Sequence, residues 1–375
     1  MTMFEVRPAE QAFPYVTIRG KVIPETAEDR MLLCLTMRRF TFETRKATSL
    51  MWKHKMNQTR TIKTLQADGL DYIYAESAVK HAKLVVEGAE ATGGTPWRHF
   101  SATTLMVFAR GSKWESYGNR NIKLLDYDES LQCFKMRIKA ISTVRSTINC
   151  RVYFGEKYIP LVKELLQLAK NREEGVPIRI SFDPEKRSFY CYISVPLQLY
   201  LKYFKKYDKP LLDVDRYCAG ADLGSGFVKW VIVDMETWRP VKWLVSEFPQ
   251  VTQHGYPRER AWNEIVDTVD KTLQWLYNYG VSVVFLEDLE KVKRKKRPRC
   301  KTPRARRKAT IFRKRRLFTW LALRCLKYGF KVYLVDPRDS SLAARYFASY
   351  LYNVDKDYGA AYIIALRGLL ALTRH

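Results

Sequence analysis

Alternating and helix-spaced hydrophobic positions divide the N-terminal part of the chain into a strand followed by helices. Val16, Ile18 and Val22 alternate with polar residues, which predicts a half-buried β-strand. From residue 27 to about residue 56, apolar residues recur every three or four positions, the spacing of an amphipathic helix. A second helix is predicted over residues 71–90 by the same spacing.

The next part of the chain has the pattern of β-structure. Short apolar runs between residues 101 and 153 predict several strands, and a helix follows over 157–171. Two alternating runs, 178–182 and 188–195, flank a short polar turn and predict a hairpin. Residues 1–13 show no regular pattern and are expected to be irregular.

The C-terminal half follows a linker expected at 197–215 and has its own order of elements. A hairpin over 219–234 turns at Leu-Gly-Ser-Gly, and a third strand is predicted at 240–248. The same unit then occurs twice: helix 258–279, Gly280 and strand 281–286, followed by helix 310–328, Gly329 and strand 331–335. This order is typical of an RNase H-like α/β fold, whose parallel strands bring acidic residues to one edge.

Three acidic residues lie where such a fold would bring them together. Asp222 lies in the first strand of the hairpin, Glu287 follows the apolar strand 281–286, and Asp357 lies in the first turn of a predicted C-terminal helix. Carboxylates from separate elements suit Mg²⁺, and two such ions can drive phosphodiester hydrolysis. Taken alone, Asp222 is better explained by a structural salt bridge. The neighbouring acids, which could replace the three in this role, are Asp288, Asp336 and Asp355.

The charge indicates a polyanionic partner. The chain of 375 residues has a net charge of +27, and residues 291–316 contain sixteen Lys and Arg and no acidic residue. Such an excess is typical of nucleic-acid binding, and a membrane surface is less suited because the charge is not confined to one amphipathic helix.

Basic residues in three places are candidate nucleic-acid contacts. The first group is on the long N-terminal helix, the second is in a basic loop at 291–308, and the third is next to Asp336. The alternatives are a solvated helix face, a generic tail or localisation signal, and the cap of a turn, respectively. The candidates are Arg38, Arg39, Arg45, Lys46, Lys293, Arg294, Lys295, Lys296, Arg297, Arg304, Arg306, Arg307 and Arg338.

The cysteines exclude two kinds of stabilisation. Seven cysteines occur without any Cys-x-x-Cys pair, which argues against a disulfide framework and a clustered metal site. Buried thiols in a reducing compartment are expected. No signal-peptide pattern or bilayer-length apolar run is present in the sequence, so a cytoplasmic, nucleoid-associated protein is expected.

Four motifs resemble those of a known family. They are Ala221-Asp222-Leu223-Gly224, Phe285-Leu286-Glu287-Asp288-Leu289, the segment 335–341 and Asp357-Tyr-Gly-Ala-Ala. The first, second and fourth resemble the three split RuvC motifs of the TnpB nucleases and compact type V CRISPR effectors. The third resembles the Asp-Pro-x-x-Thr-Ser box of the same proteins. The motif-bearing part covers about residues 218–370, whereas the first half matches only in layout and charge.

The resemblance implies a fold, an activity and partners. It implies a RuvC domain preceded by a helical recognition lobe inserted into a β-barrel wedge domain. The expected boundaries are 1–26 for the first wedge strand, 27–98 for the helical lobe, 99–212 for the rest of the wedge domain with a linker, and 213–375 for the nuclease domain. It also implies Asp222, Glu287 and Asp357 as catalytic ligands of Mg²⁺ or Mn²⁺. The implied partners are a guide RNA and double-stranded target DNA with a short flanking motif, and a homodimer on one RNA stays open.

The chain departs from the family at the segment before the last motif. The family carries a four-cysteine zinc ribbon there, but residues 338–356 contain no cysteine, so no zinc site is expected. The usual Thr-Ser and Asn-Ala-Ala appear as Ser340-Ser341 and Gly359-Ala360-Ala361. The target-loading segment is therefore reduced, which bears on the efficiency of cleavage more than on the fold.

Three functions follow from these observations. The first is an RNA-guided DNA endonuclease, in which pairing with a guide RNA reads the target sequence. The second is an RNA-guided DNA binder or repressor with weak or no cleavage, favoured by the missing ribbon and opposed by the three acids. The third is a RuvC-type junction resolvase or transposase without RNA, opposed by the large first half.

Overall fold

Two compact units make up the fold, which is mixed α/β with two sheets. The structure is a computed structural model that describes residues 6–92, 94–99, 105–141, 146–212, 215–224, 226–253, 256–288 and 311–373. One unit consists of residues 15–200, and the other joins the first 14 residues to residues 201–375.

The strands and helices of the described residues are numbered in chain order. The strands are β1 (Val6–Pro8), β2 (Tyr15–Pro24), β3 (Met106–Ala109), β4 (Ile122–Asp128), β5 (Cys133–Lys139), β6 (Thr147–Tyr153), β7 (Ile178–Asp183), β8 (Ser188–Pro196), β9 (Tyr217–Leu223), β10 (Phe227–Asp234), β11 (Pro240–Glu247), β12 (Val281–Glu287) and β13 (Lys331–Val335). The helices are α1 (Ala9–Ala12), α2 (Ala27–Lys53), α3 (Gln58–Ala67), α4 (Tyr72–Thr92), α5 (Ile159–Lys170), α6 (Leu197–Phe204), α7 (Arg258–Asn278), α8 (Ile311–Lys327), α9 (Ser340–Ala343), α10 (Ser349–Tyr352) and α11 (Lys356–Leu372). Short 3₁₀ turns occupy Pro96–His99, Ser116–Gly118, Glu156–Tyr158 and Pro249–Thr252, and a π-helical turn, Ala344–Ala348, joins α9 to α10.

The N-terminal hydrophobic patterns are confirmed in the structure. In β2, Ile18, Gly20 and Val22 are buried, and Arg19 and Lys21 between them are exposed. The side chain of Thr26 caps α2 by accepting a hydrogen bond from the Asp29 amide at 3.0 Å. The Asp29 carboxylate in turn accepts a hydrogen bond from the amide of Asn149 in β6, at 2.8 Å. The start of the long helix is therefore tied to the sheet by one short polar chain.

The sheet of the 15–200 unit has seven strands in the order β3-β7-β8-β2-β6-β5-β4. All its neighbouring strands are antiparallel, and the predicted hairpin is β7–β8. Among the described residues, β3 and β4 are the edge strands of this order.

The sheet of the other unit has six strands in the order β1-β13-β12-β9-β10-β11. β10 runs antiparallel to β9 and β11, whereas β12 runs parallel to both β9 and β13. The hairpin, the third strand and both helix-glycine-strand units predicted from the sequence are present. Gly280 and Gly329 have φ of +89° and +84°, the left-handed conformation that favours glycine after a helix.

Three parts of the chain differ from the expectations. Residues 6–12, expected to be irregular, form β1 and α1, and β1 pairs with β13 instead of joining the β2 sheet. The chain passes between the two units at residues 14–15 and again at residues 200–201. Leu197–Phe204, expected within a linker, forms α6, and Gln58–Ala67, between the two predicted N-terminal helices, forms α3. A three-residue strand and helices of four to ten residues are too short to give a clear hydrophobic period.

Helix α11 packs closely on the middle of the six-stranded sheet. A Cβ atom on Gly220 of β9 would overlap the carbonyl oxygen of Ala361 and lie 2.8 Å from the Cβ of Ala365. A Cβ on Gly368 of α11 would overlap the ring of Phe285 in β12. Small residues on both elements therefore permit contact between helix and strand backbones.

None of the helices in the described part of the chain has a stretch long and apolar enough to cross a lipid bilayer.

The close packing of α11 predicts the effect of adding one methyl group. Gly220→Ala should lower the free energy of unfolding of this unit by about 2 kcal/mol, because β9 and α11 must separate to admit the Cβ. The matched control is Gly88→Ala in α4, where an added Cβ meets nothing within 4 Å. That change should be neutral or stabilise by about 0.5–1 kcal/mol. Equal effects of the two changes in urea unfolding would contradict the packing described.

Candidate functional site

Asp222 lies on the face of the six-stranded sheet that α11 covers. In the β9–β10 pair it is directly opposite Lys229. Gly220, two residues earlier on the same strand, contacts α11 on that face. Residues two apart on a strand share a face, and so do residues directly opposite each other. Asp222 and Lys229 therefore both lie on the α11 side, where each is half-buried.

Glu287 lies on the same face and beside Asp222. β12 pairs with β9 in parallel register up to Leu286 opposite Ala221, so Glu287 and Asp222 are the next residues of the two strands. Phe285 faces α11 at Gly368, and Glu287 is two residues further along the strand. The carboxylates of adjacent parallel strands are thus placed side by side at the C-terminal edge of the sheet.

Asp357 is brought to this edge by the start of α11. The N-cap residue Asp355 accepts hydrogen bonds from the amides of Asp357 and Tyr358 at 2.9 and 3.0 Å. The ammonium of Lys229 forms an ion pair with the Asp355 carboxylate. Because Lys229 is opposite Asp222, this pair fixes the N-terminus of α11 at the edge that carries the other two acids.

The electrostatics of this edge combine negative carboxylates with compensating positive groups. Burial alone would raise the pKa of the Asp355 carboxyl, but the Lys229 ammonium and the backbone amides of Tyr358 and Asp357 hold it below its usual value. The Lys229 ammonium also lies 4.4 Å from the centre of the Tyr358 ring. The partial positive charge of a helix N-terminus further favours anions here.

The three neighbouring acids are held by structural partners. Asp288, only 1% exposed, makes a two-point ion pair with Arg7 of β1 at 2.9 and 3.1 Å. Asp336 accepts hydrogen bonds from the backbone amide and the guanidinium of Arg338 at 3.0 and 2.8 Å. With Asp355 capping α11, each of these acids has an observed structural role, whereas Asp222, Glu287 and Asp357 are the three that share one edge.

These residues fit a divalent cation in donor type and backbone position. Carboxylate oxygens are the preferred ligands of Mg²⁺ and Mn²⁺. Among the described residues, however, no three Asp, Glu, His or Cys side chains are grouped closely enough to hold an ion. Asp222 and Glu287 already interact with other groups of the chain. Asp222, Glu287 and Asp357 are the residues that would hold such an ion.

The structure divides the candidate nucleic-acid contacts into three classes. Arg39 pairs with Glu43 of the same helix at 2.8 Å. Lys46 pairs with Asp68, the residue after α3, at 2.5 Å, which ties α2 to the end of α3. Arg38 is exposed and Arg45 is half-buried on the same helix. The candidates Lys293, Arg294, Lys295, Lys296, Arg297, Arg304, Arg306 and Arg307 lie outside the described residues.

Arg338 stabilises a turn in the structure. Its side chain pairs with Asp336 at 2.6 Å, and its carbonyl oxygen accepts a hydrogen bond from Arg367 of α11 at 2.5 Å. These contacts favour the structural alternative for Arg338 and fasten the 336–338 turn to α11.

Sequence reasoning missed Lys229 and Arg7. Lys229 had a usable signal, since it is the only charged residue in the apolar run 227–233. A lone cation in a buried strand requires an acidic partner nearby. Arg7 lies in an unpatterned segment far along the chain from Asp288, and nothing in the sequence indicates that pair.

Two comparisons with known proteins give consistent results. Residues 15–205 match the family model described as the SSO2105 N-terminal domain, and this range coincides with the compact unit of residues 15–200. The chain is also 30% identical over 309 residues to an uncharacterized protein, SSO2105, of Saccharolobus solfataricus. That alignment covers 80% of this chain and 78% of the relative. It therefore extends well beyond the N-terminal unit.

The Arg7–Asp288 pair predicts a large cost of removing one partner. Arg7→Met should lower the free energy of unfolding of the 201–375 unit by about 3 kcal/mol, because it strands a buried carboxylate. Lys331→Met is the matched control, since Lys331 pairs with Asp215 on the surface, with side chains 54% and 41% exposed. That loss should stay below about 1 kcal/mol. Similar losses in urea unfolding would show that Arg7 does not hold Asp288 in solution.

Proposed function

The chain belongs to the SSO2105 family, and we propose that it is an RNA-guided DNA endonuclease that hydrolyses phosphodiesters at Asp222, Glu287 and Asp357. The observation that carries the proposal is the meeting of three acids at one edge and on one face of a mixed sheet. Asp222 and Glu287 come from adjacent parallel strands, and Asp357 comes from the helix that covers them. The order of three antiparallel strands followed by two parallel ones supports the RNase H-like assignment.

The residues of this edge have distinct proposed roles. Asp222, Glu287 and Asp357 would hold Mg²⁺ or Mn²⁺, which when bound supplies an activated water and stabilises the leaving oxygen. Lys229 is a positioning residue, because its ion pair with Asp355 fixes the start of α11 relative to β9 and β10. The rigid strands and helix would hold the backbone of all three residues at one edge of the sheet before substrate arrives.

The nucleic-acid partners are proposed from the resemblance and the charge. In proteins that the motifs resemble, a guide RNA selects double-stranded DNA next to a short flanking motif. A net charge of +27 supports binding of such long polyanions. An enzyme of this kind would act at the nucleoid, where the cellular DNA lies.

A second candidate function is RNA-guided DNA binding with weak or no cleavage. The observation that favours it is the segment before Asp357, which has no cysteine for a zinc ribbon and is a succession of short helical turns from Ser340 to Tyr352. A protein of this kind would occupy a matched site and block it.

Cleavage assays on single acid variants test the proposal. The protein is purified with the RNA that it retains in its native host, that RNA is sequenced, and a plasmid with the matching target is incubated with the complex in Mg²⁺. Asp222→Asn, Glu287→Gln and Asp357→Asn should each slow cleavage by more than about 100-fold, since even partners one shell removed from a metal contribute 10–100-fold.

The control and the outcomes are chosen to separate the candidates. The control residue is Glu236, which lies in the exposed β10–β11 turn at the opposite end of β10 from Asp222. The Glu236→Gln variant should cut as fast as the wild type. Variants of the three acids that all cut normally would overturn the site. Stable occupancy of the target by the wild type without strand breaks would establish the second candidate. Retention of only random, degraded RNA would overturn RNA guidance.

A further inference from the structure

One face of the seven-stranded sheet is open and carries rings and cations in alternation. The opposite face is buried by Ile18, Val22, Val152, Cys191 and Ile193. Along β2 the open face carries Tyr15, Thr17, Arg19, Lys21 and Ile23, all of them exposed. Strand register determines which residues of the neighbouring strands lie beside them, since directly opposite residues share a face.

The first row across this face is cation, ring, cation. Tyr192 of β8 is opposite Arg19 on one side and opposite Arg179 of β7 on the other. The guanidinium carbon of Arg179 lies 4.7 Å from the centre of the Tyr192 ring. Both arginines are exposed, and Tyr192 is half-buried.

The second row is ring, cation, ring. Lys21 of β2 lies between Tyr190 of β8 and Tyr153 of β6. The guanidinium of Arg19, from the first row, lies over Tyr190 at 4.8 Å. Six residues on four adjacent strands thus form a continuous surface of three tyrosines and three cations, which we name the Tyr–Arg face: Arg19, Lys21, Tyr153, Arg179, Tyr190 and Tyr192.

The basic character continues beyond the Tyr–Arg face on the same side of the sheet. Arg151 of β6 is opposite Lys135 of β5, and Arg137 of β5 is opposite Asn149. Some of these cations have acidic neighbours, as in the Lys135–Asp128 pair at 3.0 Å. Within the Tyr–Arg face, Lys21 lies between Tyr190 and Tyr153, and Arg19 and Arg179 flank Tyr192.

The distribution of charge along the chain points to the same unit. Residues 15–200 contain 30 Lys and Arg against 19 Asp and Glu, a net charge of +11. Residues 291–316 contribute +16, and the remainder of the chain has no net charge. Apart from that one basic segment, the excess positive charge therefore belongs to the unit that carries the Tyr–Arg face.

We propose that the Tyr–Arg face binds single-stranded nucleic acid, with unpaired bases stacked on Tyr190, Tyr192 and Tyr153. Aromatic side chains on an open sheet surface and Arg planes both stack bases, and cations between them hold the phosphates. A base can stack on an Arg–Tyr pair or take the place of the guanidinium over the ring. A nucleic acid fits this surface better than a protein partner does, because the six residues include no acid and the unit that carries them has a net charge of +11.

The inference does not depend on the acidic site. The face belongs to the other compact unit, and stacking needs neither a divalent cation nor cleavage. Binding is therefore measured in EDTA. The binding result can then be interpreted even if the protein has no nuclease activity.

The test compares two double variants of the full chain. Tyr190→Leu with Tyr192→Leu removes both rings but keeps apolar side chains, whereas Tyr190→Phe with Tyr192→Phe keeps the rings. Binding of a fluorescent 20-nucleotide poly-uridine RNA is measured at two salt concentrations. The Leu pair should bind at least about tenfold more weakly, and the Phe pair within about twofold of the wild type.

Charge variants separate stacking from phosphate contact. Arg19→Ala with Arg179→Ala should weaken binding and reduce its salt dependence, which the Leu pair should leave unchanged. Tyr72→Leu is the matched control, because Tyr72 is 47% exposed on α4 of the same unit but away from the sheet. That variant should bind as the wild type does.

Two further ligands and the results that would contradict the proposal complete the test. A DNA strand of equivalent sequence shows whether the face selects RNA, and a duplex should not depend on the tyrosine rings. Normal binding by the Leu pair, or equal loss with the Phe pair, would overturn stacking. If the Leu pair fails to fold, ultraviolet cross-linking of 4-thiouridine RNA to the wild type decides the matter. Adducts in peptides holding Tyr190 and Tyr192 are expected, and their absence there would overturn the proposal.

Discussion

The close contact between α11 and the strands β9 and β12 is the constraint on which the candidate site depends. Gly220 and Gly368 let the backbone of α11 approach the two strands closely, so the first turn of α11 is held at the edge where both strands end. Asp357 can share that edge with Asp222 and Glu287 only because of this approach. Lys229 reinforces it by linking the strand beside Asp222 to the N-cap of the helix. Packing between small residues thus determines where charged residues meet.

The two units differ in how their charge is arranged. Outside residues 291–316, the unit with the acids has no net charge, and some of its cations form internal pairs such as Arg7–Asp288 and Arg324–Asp270. The 15–200 unit has a net charge of +11 and presents cations on an open sheet face. The excess positive charge of the chain therefore belongs to two places, the segment 291–316 and the 15–200 unit.

The sequence was sufficient for elements with a long hydrophobic period and insufficient for short or tertiary features. The helix α2, the hairpins β7–β8 and β9–β10, and both helix-glycine-strand units could be predicted because each repeats a buried position several times. The three-residue β1 has no period, and its pairing with β13 joins residues more than 300 positions apart. For the site, the strand ends and the helix start located the three acids. The side-chain partners of Asp288, Asp336 and Asp355 depend on rotamers and long-range packing, which no local pattern specifies.

The N-cap of α11 shows how positive charge is supplied to this edge. The Asp355 carboxylate is held by the Lys229 ammonium and by the backbone amides of Asp357 and Tyr358. Lys229 is opposite Asp222 in the β9–β10 pair, so one cation links the strand that carries Asp222 to the start of the helix that carries Asp357. The N-terminus of a helix also favours anions. The packing that brings three acids from separate elements to one edge therefore also places positive charge beside them.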